Sequence, residues 1–286
     1  MAQELEPRSL TNLPIGTNFA LLGYRYAAGD ILMDPVVPIE NLNARLHNIF
    51  AAYVRSINFF GMSGKVIALL PYAVGKWDGY YTGIDTSTQR SGLADPRINF
   101  SFNFVGSPAL SPMEYRDYKQ KTVVGVNFTV ILPLGQYNPN KLLNLGSNRW
   151  TFKTQIGISQ RVKKWYFEAY GSIWFFTNNN AFFPDKLLEQ YPFIAGKVHV
   201  IYSLPKRMWI AGNIGYGLGG KIIINDEEKN ARISALRLGI TFAVPIKVHH
   251  ALKFNYTSGI RFEQGSDYNS IGILYQYRWG KAKNNS

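Results

Sequence analysis

The chain has 286 residues, enough for one large domain or two small ones. Charged residues are only 17% of it, well under the roughly one quarter of an ordinary soluble domain, yet the net charge is +13. There is no cysteine, which excludes disulfides and zinc–thiolate sites. The basic residues are scattered singly, with no block of five like charges, so nucleic acid is not an expected partner. The 18 Tyr, 18 Phe and 26 Gly suit strands and turns better than helices.

Residues 1–15 lack the apolar core of a signal peptide. Ala2-Gln3-Glu4 is like the residues around a signal cleavage site, so the expectation is a mature chain with an added Met. From residue 16 a rhythm sets in of alternating segments and breaks. Twelve segments are predicted as strands: 16–28, 42–58, 65–73, 95–106, 121–133, 150–161, 165–177, 192–204, 208–218, 231–244, 250–259 and 268–279. In the fourth, Ile98, Phe100, Phe102 and Phe104 point one way, and Arg97, Asn99, Ser101 and Asn103 the other. The sixth, tenth and eleventh repeat the pattern, giving each strand one apolar and one polar face.

The breaks alternate in length. Tight ones hold Phe60 to Gly64, Val162 to Lys164, Pro205 to Arg207 and Pro245 to His249. Long ones are predicted at 29–41, 74–94, 134–149, 178–191, 219–230 and 260–267. The exception is 107–120, long but on the tight side, with a short helix expected near Met113 to Lys119. The longest uncharged run, Thr122 to Asn140, is interrupted by Gly125, Asn127 and Pro133, so it does not read as a spanning helix, which needs about 20 apolar residues.

Alternation alone fits a soluble sandwich or an inside-out membrane barrel. Strand length favours the barrel: these segments run about 10–13 residues, against a mean near 5–6 in soluble sheets and about 9–11 for a tilted membrane strand. Rings near the strand ends (Tyr24, Tyr72, Trp150, Trp165, Tyr191, Trp209, Trp279) suit interfacial girdles. The strand number is even, and the short turns lie on one side. The expected fold is therefore all-β, a transmembrane antiparallel up-and-down β-barrel of about 12 strands with short periplasmic turns and longer extracellular loops. Residues 1–15 form an N-terminal periplasmic or lumen-plugging segment, 16–279 the barrel, and 280–286 a C-terminal tail. The last strand resembles the C-terminal insertion signal of bacterial outer-membrane barrels at Ser270, Gly272, Tyr275 and Tyr277.

Further stretches carry a family likeness: Glu4-Leu5-Glu6-Pro7-Arg8-Ser9, Leu13 to Phe19, Gly92-Leu93-Ala94-Asp95-Pro96-Arg97, Pro133-Leu134-Gly135-Gln136-Tyr137, Asn144 to Trp150 and Trp174-Phe175-Phe176-Thr177. In this order they resemble the outer-membrane family described as "Putative MetA-pathway of phenol degradation". That resemblance implies a barrel in the bacterial outer membrane passing small aromatic or other hydrophobic compounds. It implies no catalytic residue.

Phase assigned strand by strand puts Arg25, Arg45, Arg55, Arg97, Lys153, Arg161, Glu168, Lys197, Arg237, Lys253 and Arg278 on the lumen side, with Tyr53, Tyr166, Tyr170 and Trp174. Such unbalanced positive charge is costly in a dry core and is tolerated in a water-filled lumen. The same residues suit interior cross-bonding in a closed, filled barrel. His47 and His199 are expected to face the lumen, His249 and His250 to sit in a turn, and no serine nucleophile accompanies them, so an enzyme is not expected. Asp226-Glu227-Glu228 reads as a solvated loop tip, so neither a metal nor a cofactor is expected. The expected partners are outer-membrane lipid, the barrel-insertion machinery through the C-terminal strand, and a small-molecule solute. The expected function is passive diffusion of small anionic or aromatic solutes through a basic lumen. The alternative is a non-conducting structural or adhesive barrel acting through its loops.

Overall fold

The structure, a computed structural model, describes residues 5–30, 39–81, 83–183, 185–229, 233–261 and 267–280. The strands are β1 (Asn18–Asp30), β2 (Ile39–Phe59), β3 (Met62–Tyr81), β4 (Ile84–Leu93), β5 (Arg97–Val105), β6 (Thr122–Ile131), β7 (Thr151–Val162), β8 (Trp165–Phe176), β9 (Asn179–Phe182), β10 (Lys186–Gln190), β11 (Phe193–Ser203), β12 (Trp209–Gly219), β13 (Ile222–Ile224), β14 (Glu227–Lys229), β15 (Ile233–Lys247), β16 (His250–Arg261) and β17 (Asp267–Trp279). Each barrel strand pairs antiparallel with its neighbours, and β1 closes the ring against β17, with Asn18 opposite Trp279. β4 and β5 both pair with β3, on successive stretches, and act as one stave broken at Ala94-Asp95-Pro96. The barrel thus has twelve staves.

The faces are inverted relative to a soluble protein. Ser101, Asn103, Asn127, Gln155, Ser159, Asn213 and Thr241 are buried inside, while Leu22, Ile49, Leu70, Ile156, Ile214, Ile240 and Ile271 are exposed outside. Alternation along a pleated strand, with lipid rather than water outside, produces this pattern. Rings cluster at both rims. Tyr277 stacks on Trp279 at 5.6 Å, and Trp165 meets Tyr202 at 4.7 Å on the short-turn side. Phe59 packs on Phe60, Phe100 and Phe102 at the same rim. Tyr24, Tyr72, Trp150 and Tyr216 are exposed toward the other end.

Several expectations need correction. Arg45 and Arg55 do not face the lumen; nor do His47 and Tyr53. The inward set of β2 is even-numbered, with Leu42, Ala44, Ala52, Val54 and Ser56 buried, and its odd-numbered residues stand outside. The inner face of β2 is apolar and its charged residues stand on the outer one, so the charges were a poor guide to phase. Both arginines lie toward the ends of the strand, where a basic residue on the outer face costs about 0–1 kcal/mol instead of the midplane penalty. Three predicted loops carry strands. The 74–94 break is mostly ribbon, formed as β3 runs on to Tyr81 and β4 returns beside it. The 178–191 and 219–230 breaks contribute β9, β10, β13 and β14 to a separate four-stranded sheet, packed through Phe182, Leu188, Ile222 and Ile224. The short helix expected in 107–120 is a single 3-10 turn, Glu114–Arg116. Parts of 29–41 and 260–267 and the 281–286 tail lie outside the described residues.

Phe102 sits opposite Gly64, close to the periplasmic turn. Ile214, halfway along β12 and facing outward, is the better midplane probe. Ile214→Arg should cost about 2–4 kcal/mol, and Phe102→Arg clearly less, because the penalty falls toward the interface. Urea unfolding in lipid vesicles measures both, and equal losses would mean that the depth assignment is wrong.

Candidate functional site: the barrel lumen

The N-terminal segment enters the lumen from the short-turn end. Leu10 is fully buried against Val123 and Tyr170. Its carbonyl accepts from Asn103 Nδ2 at 3.0 Å. The Lys65 ammonium donates to the Ser9 carbonyl at 2.5 Å and to that of Thr11 at 3.3 Å. Arg8 N–H donates to Glu168 Oε2 at 2.7 Å, and the same carboxylate accepts from Tyr170 OH at 2.9 Å and Ser159 Oγ at 3.0 Å. The Arg8 guanidinium lies over the rings of Tyr166 and Trp209, 5.0 and 5.6 Å from their centroids. Glu6 pairs with Lys253. Below, the 107–120 turn holds Asn12, whose amide donates to the Pro108 carbonyl and whose carbonyl accepts from Tyr115 OH, each at 3.0 Å. In that turn Ser111 and Glu114 cap each other's main-chain N–H groups. These bonds hold the Glu114 carboxyl below its ordinary range. Leu5 to Asn12 thus lie among the interior side chains of the barrel.

The wall beside and above this segment pairs cations with rings. Lys153 and Trp174 are register partners on β7 and β8, with the ammonium 4.7 Å from the indole centroid. Lys197 and Tyr170 are partners on β11 and β8, at 4.9 Å. Gly157 faces Tyr170, and a Cβ there would overlap its ring. Arg237 stacks at 3.8 Å on Tyr268. A polar chain crosses three strands: His199 Nδ1 meets Asn213 Oδ1 at 2.6 Å, and Asn213 Nδ2 donates to Thr241 Oγ1 at 3.0 Å. Lys153 and Lys197 are half-buried, whereas His199 and Arg237 are buried.

At the extracellular end, Asp95 ties the 134–149 loop to the wall. Its carboxylate accepts from Gly135 N at 2.9 Å, Ser147 N at 2.8 Å and Ser147 Oγ at 2.6 Å. Gly135 and Gly146 lie so close that a Cβ on either would strike the other's backbone. Asn148 Nδ2 donates to Asn179 Oδ1, and Asn179 Nδ2 donates to Tyr137 OH and the Ser147 carbonyl, joining the next loop to the same knot.

Of the residues predicted to line the lumen, Arg25, Arg97, Lys153, Glu168, Tyr170, Trp174, Lys197, Arg237, Lys253 and Arg278 fall on inward positions of their strands. They form no single cluster. Glu168 and Tyr170 hold the N-terminal segment, Lys153, Lys197 and Trp174 line the wall, and Arg278 sits at the rim, donating to the Val248 carbonyl. Sequence reading missed Lys65 and Arg90. Lys65 was legible, since Ser63 and Lys65, directly after a glycine turn, are the polar residues of one strand phase. Arg90 was assigned to a loop and so had no phase.

A family model described as "Putative MetA-pathway of phenol degradation" matches residues 43–277. Among solved structures, the COG4313 outer membrane channel from Pseudomonas putida F1 is similar at 16% identity, with 96% of this chain and all of that one covered and a TM-score of 0.82. The beta domain of the Bordetella autotransporter BrkA aligns at 11% identity over 93% of this chain and all of its own, TM-score 0.51. The transport unit of the Escherichia coli autotransporter AIDA-I aligns at 10% over 96% of this chain and 93% of its own, TM-score 0.52. No curated protein matches the chain by sequence.

Glu168 is the acid that accepts the segment's N–H, and with Glu6 it acts on the Lys65 ammonium. Glu168→Gln keeps the shape and removes the charge. Each hydrogen bond to a charged group contributes about 1.5–3 kcal/mol, and three donors lose their charged acceptor here, whereas Arg45→Gln on the outer face should fall within about 0.5 kcal/mol. Urea unfolding of the two variants gives the comparison. Asp95→Ala should free the 134–149 loop without opening the barrel. Limited proteolysis should then cut that loop at least tenfold faster, while the strands keep their circular-dichroism signal.

Proposed function

The chain belongs to the family described as "Putative MetA-pathway of phenol degradation", and from that premise we propose that this outer-membrane barrel is a passive channel for small anionic or aromatic solutes. One observation carries the reading: half-buried lysines laid on aromatic faces along the interior, Lys153 on Trp174 and Lys197 on Tyr170. An ammonium between low-dielectric walls raises the local concentration of anions, and rings of basic residues are what anion-passing pores use. The rings offer stacking faces to a planar solute. The solute gradient supplies the driving energy. The Pseudomonas relative is described as an outer membrane channel, which favours the same reading.

A second reading has its own support. The ribbon of β2, β3 and β4 and the four-stranded sheet give the extracellular end a folded surface of the kind an adhesive or structural barrel presents.

Planar-bilayer recording separates the two. The channel reading expects conductance with a reversal potential on the anion-selective side in a salt gradient. Replacing both Lys153 and Lys197 by Gln should move that potential toward zero. The difference should shrink as salt rises and the screening length falls below about 8 Å. Arg45→Gln should leave the potential unchanged, since Arg45 stands outside. Absence of conductance from the folded protein would favour the adhesive reading.

A further inference from the structure

Beneath the 134–149 loop, on the lumen-side face of the β2–β3–β4 ribbon, lies a cavity of about 260 Å³. Leu42, Trp77, Tyr81, Arg90, Leu143 and Phe183 line it. A dry cavity of about 150 Å³ takes up benzene, so this one has room for a single ring with a small substituent. Its apolar wall is well packed: Trp77 is 1% exposed and rests on Leu42, Ala44 and Leu143.

Two features of this wall are polar. The indole N–H of Trp77 is buried and, among the described residues, has no hydrogen-bond partner. Buried donors are nearly always paired, and an orphaned one calls for an acceptor. The second is Arg90, inward-facing on β4. Two of its N–H groups donate to main-chain carbonyls, those of Leu143 and Gln89. A guanidinium carries five donors, and among the described residues Arg90 has no carboxylate partner. Lys141 adds a second cation to the lining.

We infer that this cavity is a binding site for a single-ring aromatic carboxylate. The ring fits between Trp77, Tyr81 and Phe183, where edge-to-face packing of rings is favourable. The carboxylate accepts from the Trp77 N–H and from Arg90, a charge-assisted arrangement stronger than a neutral one. The site deepens the proposed transport function, as the place at the mouth where the solute is gathered before the basic wall, and it rests on that reading.

Isothermal titration calorimetry of the detergent-solubilised full chain with sodium benzoate tests it. The expected result is saturable one-to-one binding. Trp77→Phe, which keeps an aromatic ring and removes the N–H, should weaken binding about tenfold, as should Arg90→Gln. Benzamide, neutral and of the same shape, should bind about tenfold more weakly than benzoate. Arg45→Gln removes an equal charge outside the cavity and should change nothing. No saturable benzoate binding, an affinity unchanged in both cavity variants, or an equal loss in Arg45→Gln would overturn the site. Heat-modifiability on gels reports whether each variant is folded, and if Trp77→Phe is not, Arg90→Gln decides alone. The bilayer recording is independent: conductance without benzoate binding removes the site and keeps the channel, and binding without conductance does the reverse.

Discussion

A chain crossing lipid by strands must pair every backbone N–H and C=O within itself, because hydrocarbon offers no partner and each unpaired group costs several kcal/mol. This constraint closes β1 against β17, so that the barrel wall is a continuous ring. Closure then fixes two populations of side chain. Those outside meet acyl chains and are largely Ile, Leu, Val and Phe; those inside cannot reach lipid and include Ser, Asn, Gln and Thr. Everything distinctive about the interior follows, because a closed ring of twelve staves encloses a space that water, side chains or a segment of the chain must fill.

The two ends fill that space by different means. At the short-turn end the chain uses its own N-terminal segment, whose main chain is satisfied by Asn103, Lys65 and Glu168. The buried lysine and glutamate are tolerable because each is surrounded by hydrogen bonds and the opposite charge is near. Higher in the barrel Lys153 and Lys197 are half-buried and have rings for neighbours. The face of a ring attracts a cation through its quadrupole, whereas Lys65 is held by main-chain carbonyls. The lumen therefore changes character along its axis, from side chains bonded to a segment of main chain to cations laid on rings.

Much of this was legible in the sequence, because alternation is a direct image of the pleat. Strands such as β5 and β17, polar on one face and apolar on the other, declared both their extent and their phase. β2 did not, since Leu46, Phe50, Ala52 and Val54 make its inner face as apolar as its outer one. A charge at a strand end says little about phase, because the outer face there meets headgroups instead of hydrocarbon; hence Arg45 and Arg55 were misplaced. The ribbon of β3 and β4 was read as a loop because Gly, Asp, Ser and Thr look like turn residues whether or not they are paired. The course of residues 5–12 had no local signature, since its order depends on partners more than fifty residues away, such as Lys65 and Glu168.

The stretches that carried the family likeness take on a physical meaning in three dimensions. Gly92 to Arg97, Pro133 to Tyr137 and Asn144 to Trp150 are separate in sequence and meet at Asp95. Gln136 N–H donates to the Leu93 carbonyl, Gly146 N–H to that of Gln136, and Gly135 and Ser147 both reach the Asp95 carboxylate. Glycine is required at 135 and 146 because the two backbones touch there. Trp150 and Thr177 exchange hydrogen bonds beside the knot, bringing in the fourth stretch. Pro96, lacking an N–H, marks the break in the stave that frees Asp95 for this task. The knot lays the 134–149 loop over the mouth and seats Leu143 on Trp77. What reads in sequence as a family signature is therefore a fastening: it shapes the extracellular end, while the cation–ring pairs of the interior wall, such as Lys153 on Trp174 and Lys197 on Tyr170, lie in no motif.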